Sequence, residues 1–458
     1  MTARTPLVVL DVVGLTPRLL GERTPHLARL ARDGFAAPMT GVFPAVTCSA
    51  QSSMLTGLPP TDHGIVGNGW YFRDIAEVNF WRQANQLVQG EKVWETAARR
   101  WPGFKAGKLF WWFNMYSSAA FSVTPRPMYP ADGRKLVALY SNPVELERQL
   151  VAELGEFPFF DFWGPKAGLA SSQWIAESAK STLRSERPDL LLVYLPHLDY
   201  NLQRLGPSDP RVDADIRAID AVAGSVIDAA RAHGADVLVV SEYGIEQATG
   251  HVHINRVLRE HGLLAVRETL GWELLDAGAS RAFAVADHQV AHVYVREPRD
   301  LDSVARLLRA TPGIGEVLDR DGKRRLGCDH ARAGELVLVA APGHWFTYYY
   351  WLDDAKAPDF ARTVDIHRKP GYDPCELYID PALRVPALRV GRRVLQKKLG
   401  FRMLMDVIPL TPELVKGTHG RLPDSAEDGP VVIGSRRDLA VGSLAMTDVK
   451  NLMLRHWG

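Results

Sequence analysis

Cysteine is scarce in this chain: Cys48, Cys328 and Cys375 are all it has in 458 residues. Spaced so widely, they make neither a disulfide framework nor a thiolate zinc motif. The expectation is a reducing compartment, and so a cytoplasmic protein. Net charge is equally sparse. Lys and Arg number 54 against 53 Asp and Glu, a formal balance of +1, which gives no global field for nucleic acid or an anionic membrane. Neither partner is expected on that ground. No apolar run approaches the roughly 20 residues of a membrane-spanning helix, and the one ahead of Asp11 is too short and too early for a secretory segment. Internal repeats and low-complexity tracts are absent too. What remains is ordinary globular composition, 46% hydrophobic and 23% charged, with a length suited to roughly two or three domain-sized units.

What is present is a set of buried-strand patterns that each end in acid. LVVLDVVGL ends on Asp11 and leads into a helical TPHLARLARDGF. RPDLLLVYLPHLDY ends around Pro196 to Asp199, and ADVLVVSEYG ends on Glu242. With helical stretches such as VDADIRAIDAVAGSVIDAARAHG between them, these runs predict an α/β sheet. Ligands of open α/β sheets gather at the carboxyl ends of strands, so Asp11, Asp199 and Glu242 are expected on one edge. Any one of them reads equally well as a helix cap. Residues ~100–185, with KLFWWFNMYSS and FPFFDFWGP, read as an aromatic-rich insertion, and residues 255–325 as a small α+β cap. Residues 1–250 and 325–458 then make the main α/β core.

The stretch FPAVTCSAQSSMLTGLPPTDHGIVGN, residues 43–68, raises the chemical question. Thr47 opens a helical pattern, where it could act as an N-cap. It could equally be a nucleophile, but a threonine hydroxyl needs a base or a metal to activate it. The strand-end acids would suit a cation, and a helix N-terminus would suit a phosphate.

This stretch resembles the nucleophile region of the alkaline phosphatase superfamily, in its type I phosphodiesterase / nucleotide pyrophosphatase branch and its phosphonoacetate hydrolases. The resemblance rests on the Pro-x-x-Thr ending at Thr47, the Thr-Gly after it and the His-Gly-Ile-x-x-Asn ending at Asn68. It implies a three-layer α/β sandwich with a mostly parallel central sheet and inserted cap segments. It implies Thr47 as a nucleophile that becomes phosphorylated, and Asn68 as donor to a phosphoryl oxygen. Asp11, Thr47 and Glu242 fall at ligand positions of one metal, and Asp199 and His419 at those of another.

The departures are as informative. Gln203 and Tyr243 stand where the family has histidine, and Glu242 where it has aspartate. Zinc is the family's metal, and oxygen donors at these positions shift the preference towards manganese, magnesium or calcium, in one or two sites. His197, close to Asp199 in sequence, is a further ligand candidate, with His367 behind it. In the insertion, Trp112, Asn114 and Tyr116 are candidates for binding a base or ring, and Lys105 and Lys108 for pairing with a substrate carboxylate. The implied activity is metal-dependent phosphoryl transfer from a small phosphorylated substrate, such as a nucleotide or a sugar or cyclitol phosphate. The alternatives are a non-catalytic binding protein on the same fold and a phosphonate hydrolase.

Overall fold

The computed structural model describes residues 4–131, 134–401 and 403–458. Its centre is a nine-stranded sheet. In chain order the strands are β1 (Leu7–Val12), β2 (Phe35–Thr40), β3 (Ala106–Leu109), β4 (Phe121–Pro125), β5 (Leu139–Asn142), β6 (Leu190–Leu195), β7 (Asp236–Val240), β8 (Val431–Gly434) and β9 (Leu444–Ala445). Across the sheet they run β9-β2-β8-β7-β1-β6-β3-β4-β5. β1 pairs parallel with both β6 and β7, and only β8 and β5 run against their neighbours. Every residue of β1 and β6 is buried. That is why both read as apolar runs, interrupted only by Asp11 in β1: a parallel strand is covered on both faces.

The helices divide into two groups that supply this cover. Pro25–Asp33, Leu169–Ser185 and Val212–Ala232 pack together, and Thr47–Thr56 (α1), Val93–Arg100 and Val449–Arg455 form the second group. α1 is buried along its whole length. A helix buried all round must find partners for its polar side chains. Accordingly Ser49 bonds Pro44 O at 2.6 Å and Ser53 bonds His63 Nε2 at 2.8 Å. Gly57, in the left-handed region at φ 73°, ends the helix.

A second sheet of four antiparallel strands is built from Ala282–Asp287, Val290–Val295, Ile314–Leu318 and Leu336–Ala340. It extends the cap beyond the residue 325 boundary expected from sequence, because the strand at Leu336–Ala340 pairs with two cap strands. The region read as an insertion also differs from expectation, since its short segments AGKL, FSVTP and LYSN complete one wing of the central sheet. Strands of four or five residues carry too little periodicity to be seen in sequence.

Candidate active site

The carboxyl edge of the central sheet brings distant segments into one place. Asp11 is the fifth residue of β1, in register with Tyr194 of β6 and Val240 of β7. Glu242 follows β7 by two residues. Asp199 lies in the first turn of helix α2 (His197–Leu205), just past β6. Thr47 follows β2, and it is the first residue of α1 rather than its cap. Val46 holds the cap position with extended backbone and no capping side chain. The Thr47 hydroxyl is therefore free of the helix, and its Oγ1 lies 3.2 Å from the Tyr243 hydroxyl.

Behind Thr47, Asp11 and Glu242 are buried side by side. Burial and the neighbouring Glu242 charge hold Asp11 well above the usual carboxylate range. Burial likewise raises Glu242 to about 7, against hydrogen bonds from Asp11, Thr47 and Gln51. Gln51, one turn into α1, bridges the pair: its Nε2 donates to Asp11 Oδ2 at 3.1 Å and to Glu242 Oε1 at 2.8 Å. The amide can point only this way, because Gln51 Oε1 accepts the Trp112 backbone N–H at 2.8 Å. Asp11 Oδ1 and Glu242 Oε2 remain buried without a hydrogen-bond donor.

Asp199 belongs to a second network. Gln203, one turn along α2, donates Nε2 to Asp199 Oδ2 at 2.6 Å, a helical i,i+4 pair. Its Oε1 faces His288 Nε2 at 3.1 Å, and His288 Nδ1 lies 2.8 Å from Asp287 Oδ1. Burial raises Asp199 to about 6 in spite of His288 and the Gln203 bond. Tyr243 lies flat on His419, centroids 3.7 Å apart and 4° between planes, and His288 covers the other side of that imidazole at 4.0 Å. Burial pushes the Tyr243 phenol up well above its ordinary value, helped by Asp199 and Glu242. Burial, with His288, holds His419 well below its ordinary value, so the ring is neutral. His419 Nδ1 faces Ala45 O at 3.0 Å.

Asn68 closes the other side. Its Oδ1 accepts from Cys48 N at 2.9 Å, which turns Nδ2 towards Tyr372 Oη at 3.1 Å and Asp287 Oδ1 at 3.4 Å. Asp287 also accepts the Asn68 backbone N–H at 3.1 Å and the Tyr372 hydroxyl at 2.9 Å. The space between is a pocket of about 460 Å³, solvent at its mouth included. Thr47, Asn68, Asp199, Gln203, Tyr243, His288 and His419 supply its polar wall. Trp81, Trp112, Phe162, Trp163, Tyr200 and Tyr372 supply most of its aromatic one, and among the described residues no Lys or Arg lines it.

Several sequence candidates lie elsewhere. His197 faces Asp215, 3.0 Å from its Oδ1, instead of the pocket. Asn114 is spent on backbone, donating to Lys108 O and Val123 O at 3.0 and 2.9 Å. Tyr116 is 60% exposed, on Tyr140. Lys108 Nζ is buried on Trp112 O and Phe113 O, at 2.7 and 3.0 Å. Neither Lys105 nor His367 lines the pocket. Of the three aromatic-insert candidates, only Trp112 reaches it.

Gln51, Asp287, His288 and Tyr372 are the residues that sequence reading passed over. The one local signal was the hairpin ADHQVAHV, whose two-residue turn holds His288 at φ 54°, a left-handed conformation uncommon outside glycine. Gln289 pins that turn to His419 O at 3.0 Å.

A buried helix starting on Thr47 at the carboxyl edge of a mostly parallel sheet, with acids from three strand ends nearby, defines an alkaline-phosphatase-like α/β protein. Structures of that kind overlay almost the whole chain. An inactive variant of murine ectonucleotide pyrophosphatase/phosphodiesterase 5 in complex with AMP matches with a TM-score of 0.59 and 16% identity, over 99% of this chain and 95% of that one. Phosphonoacetate hydrolase of Sinorhizobium meliloti, in complex with phosphonoformate, matches with a TM-score of 0.61 and 15% identity, over 99% and 96%. The model of the type I phosphodiesterase / nucleotide pyrophosphatase family matches residues 7–373, and the chain belongs to that family. Human ectonucleotide pyrophosphatase/phosphodiesterase family member 1 is 22% identical over 250 residues, 52% of this chain and 23% of its own length. An uncharacterized Schizosaccharomyces pombe pyrophosphatase/phosphodiesterase is 24% identical over 233 residues, 48% of this chain and 41% of its own length. The matched stretch thus spans less than half of either relative. No described helix is long and apolar enough to cross a membrane.

Proposed function

We propose that this chain is a phosphoryl-transfer hydrolase of phosphodiesters, with Thr47 as its nucleophile. The observation that carries this reading is the uncapped Thr47 hydroxyl, which opens on the pocket shared by Asn68, Tyr243, His288 and His419. Attack by Oγ1 on phosphorus forms the P–O bond of a phosphothreonine and expels the ester oxygen; water then hydrolyses that intermediate. Glu242, which hydrogen-bonds the Thr47 hydroxyl and which burial raises above the usual carboxylate range, would accept the hydroxyl proton when no cation holds it. Asn68 Nδ2 would donate to a non-bridging oxygen, where charge grows. His288 Nε2, which lines the pocket, would turn from Gln203 Oε1 to the departing oxygen.

The family implies divalent metal, and the residues fit it unevenly. Asp11 Oδ1 and Glu242 Oε2, both buried and without donors, suit one oxygen-preferring cation beside Thr47. Such an ion, when bound, would lower the hydroxyl's pKa and screen the phosphoryl charge. The second position does not fit. Asp199 accepts from Gln203 and Tyr243, Gln203 presents nitrogen to it, and the Tyr243 phenol stays protonated. His419 alone among that set is left as a ligand, and we derive no step through a second ion. Among the described residues no group of three or more His, Cys, Asp or Glu is arranged to hold a metal.

The pocket wall supports a substrate class. A pyrophosphate or a carboxylate-bearing phosphonate brings two charged groups, and with no Lys or Arg among the described lining residues only a cation beside Thr47 would offset them. A diester carries a single negative charge, and the aromatic wall suits a flat or apolar leaving group. Turnover of bis-p-nitrophenyl phosphate well above that of p-nitrophenyl phosphate, by protein purified without chelator, is the expected result. Absence of turnover on both, with manganese, magnesium or zinc supplied, would favour the binding-protein alternative.

A further inference from the structure

Helix α3 (Pro386–Lys398) is built inside out. None of its residues is buried, although it belongs to a chain whose other helices of this length hide an apolar face. Leu388, Leu395 and Leu399 fall at i, i+7 and i+11, one stripe on a helix of 100° per residue. They are 70, 57 and 64% exposed. The side turned to the protein is polar, for Arg389 and Arg393 both reach Asp406 there. Phe401 and Leu404, both exposed, follow the helix in the chain.

Charge says what covers it. From Arg384 to Lys398 the chain carries six basic residues, and no acid occurs between Asp380 and Asp406. Arg384, Arg392, Lys397 and Lys398 make no ion pair among the described residues, and Arg392 and Lys398 flank the leucine stripe on its two sides. A second copy of the chain would set these cations against their own kind. A convex apolar ridge edged by unpaired cations has the make-up of a helix that lies in a lipid headgroup layer.

We propose that α3 seats the protein on anionic membrane surfaces, leucines in the acyl boundary and Arg392 and Lys398 among the headgroups. The near-zero net charge of the whole chain conceals this local excess, which is why composition argued against a membrane. The excursion is tied near the pocket: Arg362 Nη1 pairs with Asp380 at 3.3 Å and its carbonyl accepts from Ile408 N. Ile366, four residues on, lines the pocket. The proposal does not depend on the catalytic reading.

Vesicle pelleting of the full chain tests it. The protein should bind vesicles with about 30% phosphatidylglycerol at least tenfold better than pure phosphatidylcholine, and release in about 0.5 M salt. Leu388→Ser with Leu395→Ser and Leu399→Ser should lose that binding while keeping the wild-type melting midpoint, as should Arg392→Glu with Lys398→Glu. Wild type that stays in the supernatant with anionic vesicles overturns the proposal. So does binding that both variants retain. A wild-type dimer in sedimentation velocity that the leucine variant dissolves, without vesicle binding, would assign the face to a second copy instead.

Discussion

Tyr243 lies face to face on His419, ring centroids 3.7 Å apart. A phenol thus fills a place where a second imidazole would give a metal another nitrogen. Its hydroxyl lies 3.2 Å from Thr47 and 3.4 Å from Asp199. With Gln203 turned nitrogen-first to Asp199, the proposed donor set suits one cation rather than two. Protein purified without chelator should carry no more than one divalent ion per chain by mass spectrometry of the metals. Gln203→His combined with Glu242→Asp and Tyr243→His should raise zinc towards two. Two tightly held zinc ions in the wild type would contradict the account of these exchanges.

Asp287 holds His288, Asn68 and Tyr372 at once. If His288 serves the leaving oxygen, His288→Gln should cost more on a poor leaving group than on a good one. About tenfold or more is expected on an alkyl diester, and little on bis-p-nitrophenyl phosphate. Asp287→Asn should lower turnover on both, since it also loosens Asn68. Equal losses on both esters from His288→Gln would reduce that residue to a structural one.

Burial lowers His63 to about 3 from the ordinary 6.5. Its Nδ1 accepts from Ile65 N at 3.1 Å, leaving Nε2 for the Ser53 hydroxyl. The native state refuses a proton that the unfolded chain takes below 6.5. Stability from this group is therefore complete above 6.5 and declines as pH falls towards 3. In denaturant titrations the advantage of wild type over His63→Gln should shrink between pH 7 and pH 4.5 by about 2 to 3 kcal/mol. An unchanged gap would mean that the ring is protonated in place.

Lys369 and Glu376 form an ion pair with both side chains almost wholly buried, and Lys369 also donates to Thr363 O at 3.1 Å. Removing one partner strands the other charge. Lys369→Met should cost about 3 to 5 kcal/mol in urea unfolding, and the double change with Glu376→Leu should recover part of it. A single variant as stable as wild type would show that water reaches the pair.

The sheet was legible because β1, β6 and β7 are buried almost throughout and so spell strongly apolar runs. The acids were legible because they close those runs, whereas Thr47 and Asn68 stood out only through the resemblance carried by residues 43–68. Gln51 was not, because one glutamine in a buried helix says nothing until Trp112 fixes its amide. Asp287 and His288 reach the pocket through a cap hairpin far along the chain, and no local rule carries that contact. The direction of Gln203 could be read only from its partners. Asn114 and Tyr116 misled for the converse reason: an aromatic run reveals its composition but not which residues turn inward.

Turnover by the Thr47→Ala variant is the measurement that meets the central claim most directly. Wild type and variant are compared on bis-p-nitrophenyl phosphate with the same metal supplied, and their melting midpoints are recorded beside the rates. The account predicts matching midpoints and a loss of roughly three orders of magnitude or more in kcat/KM. A folded variant with near-full turnover would contradict it, and would leave Thr47 as no more than the first residue of a buried helix.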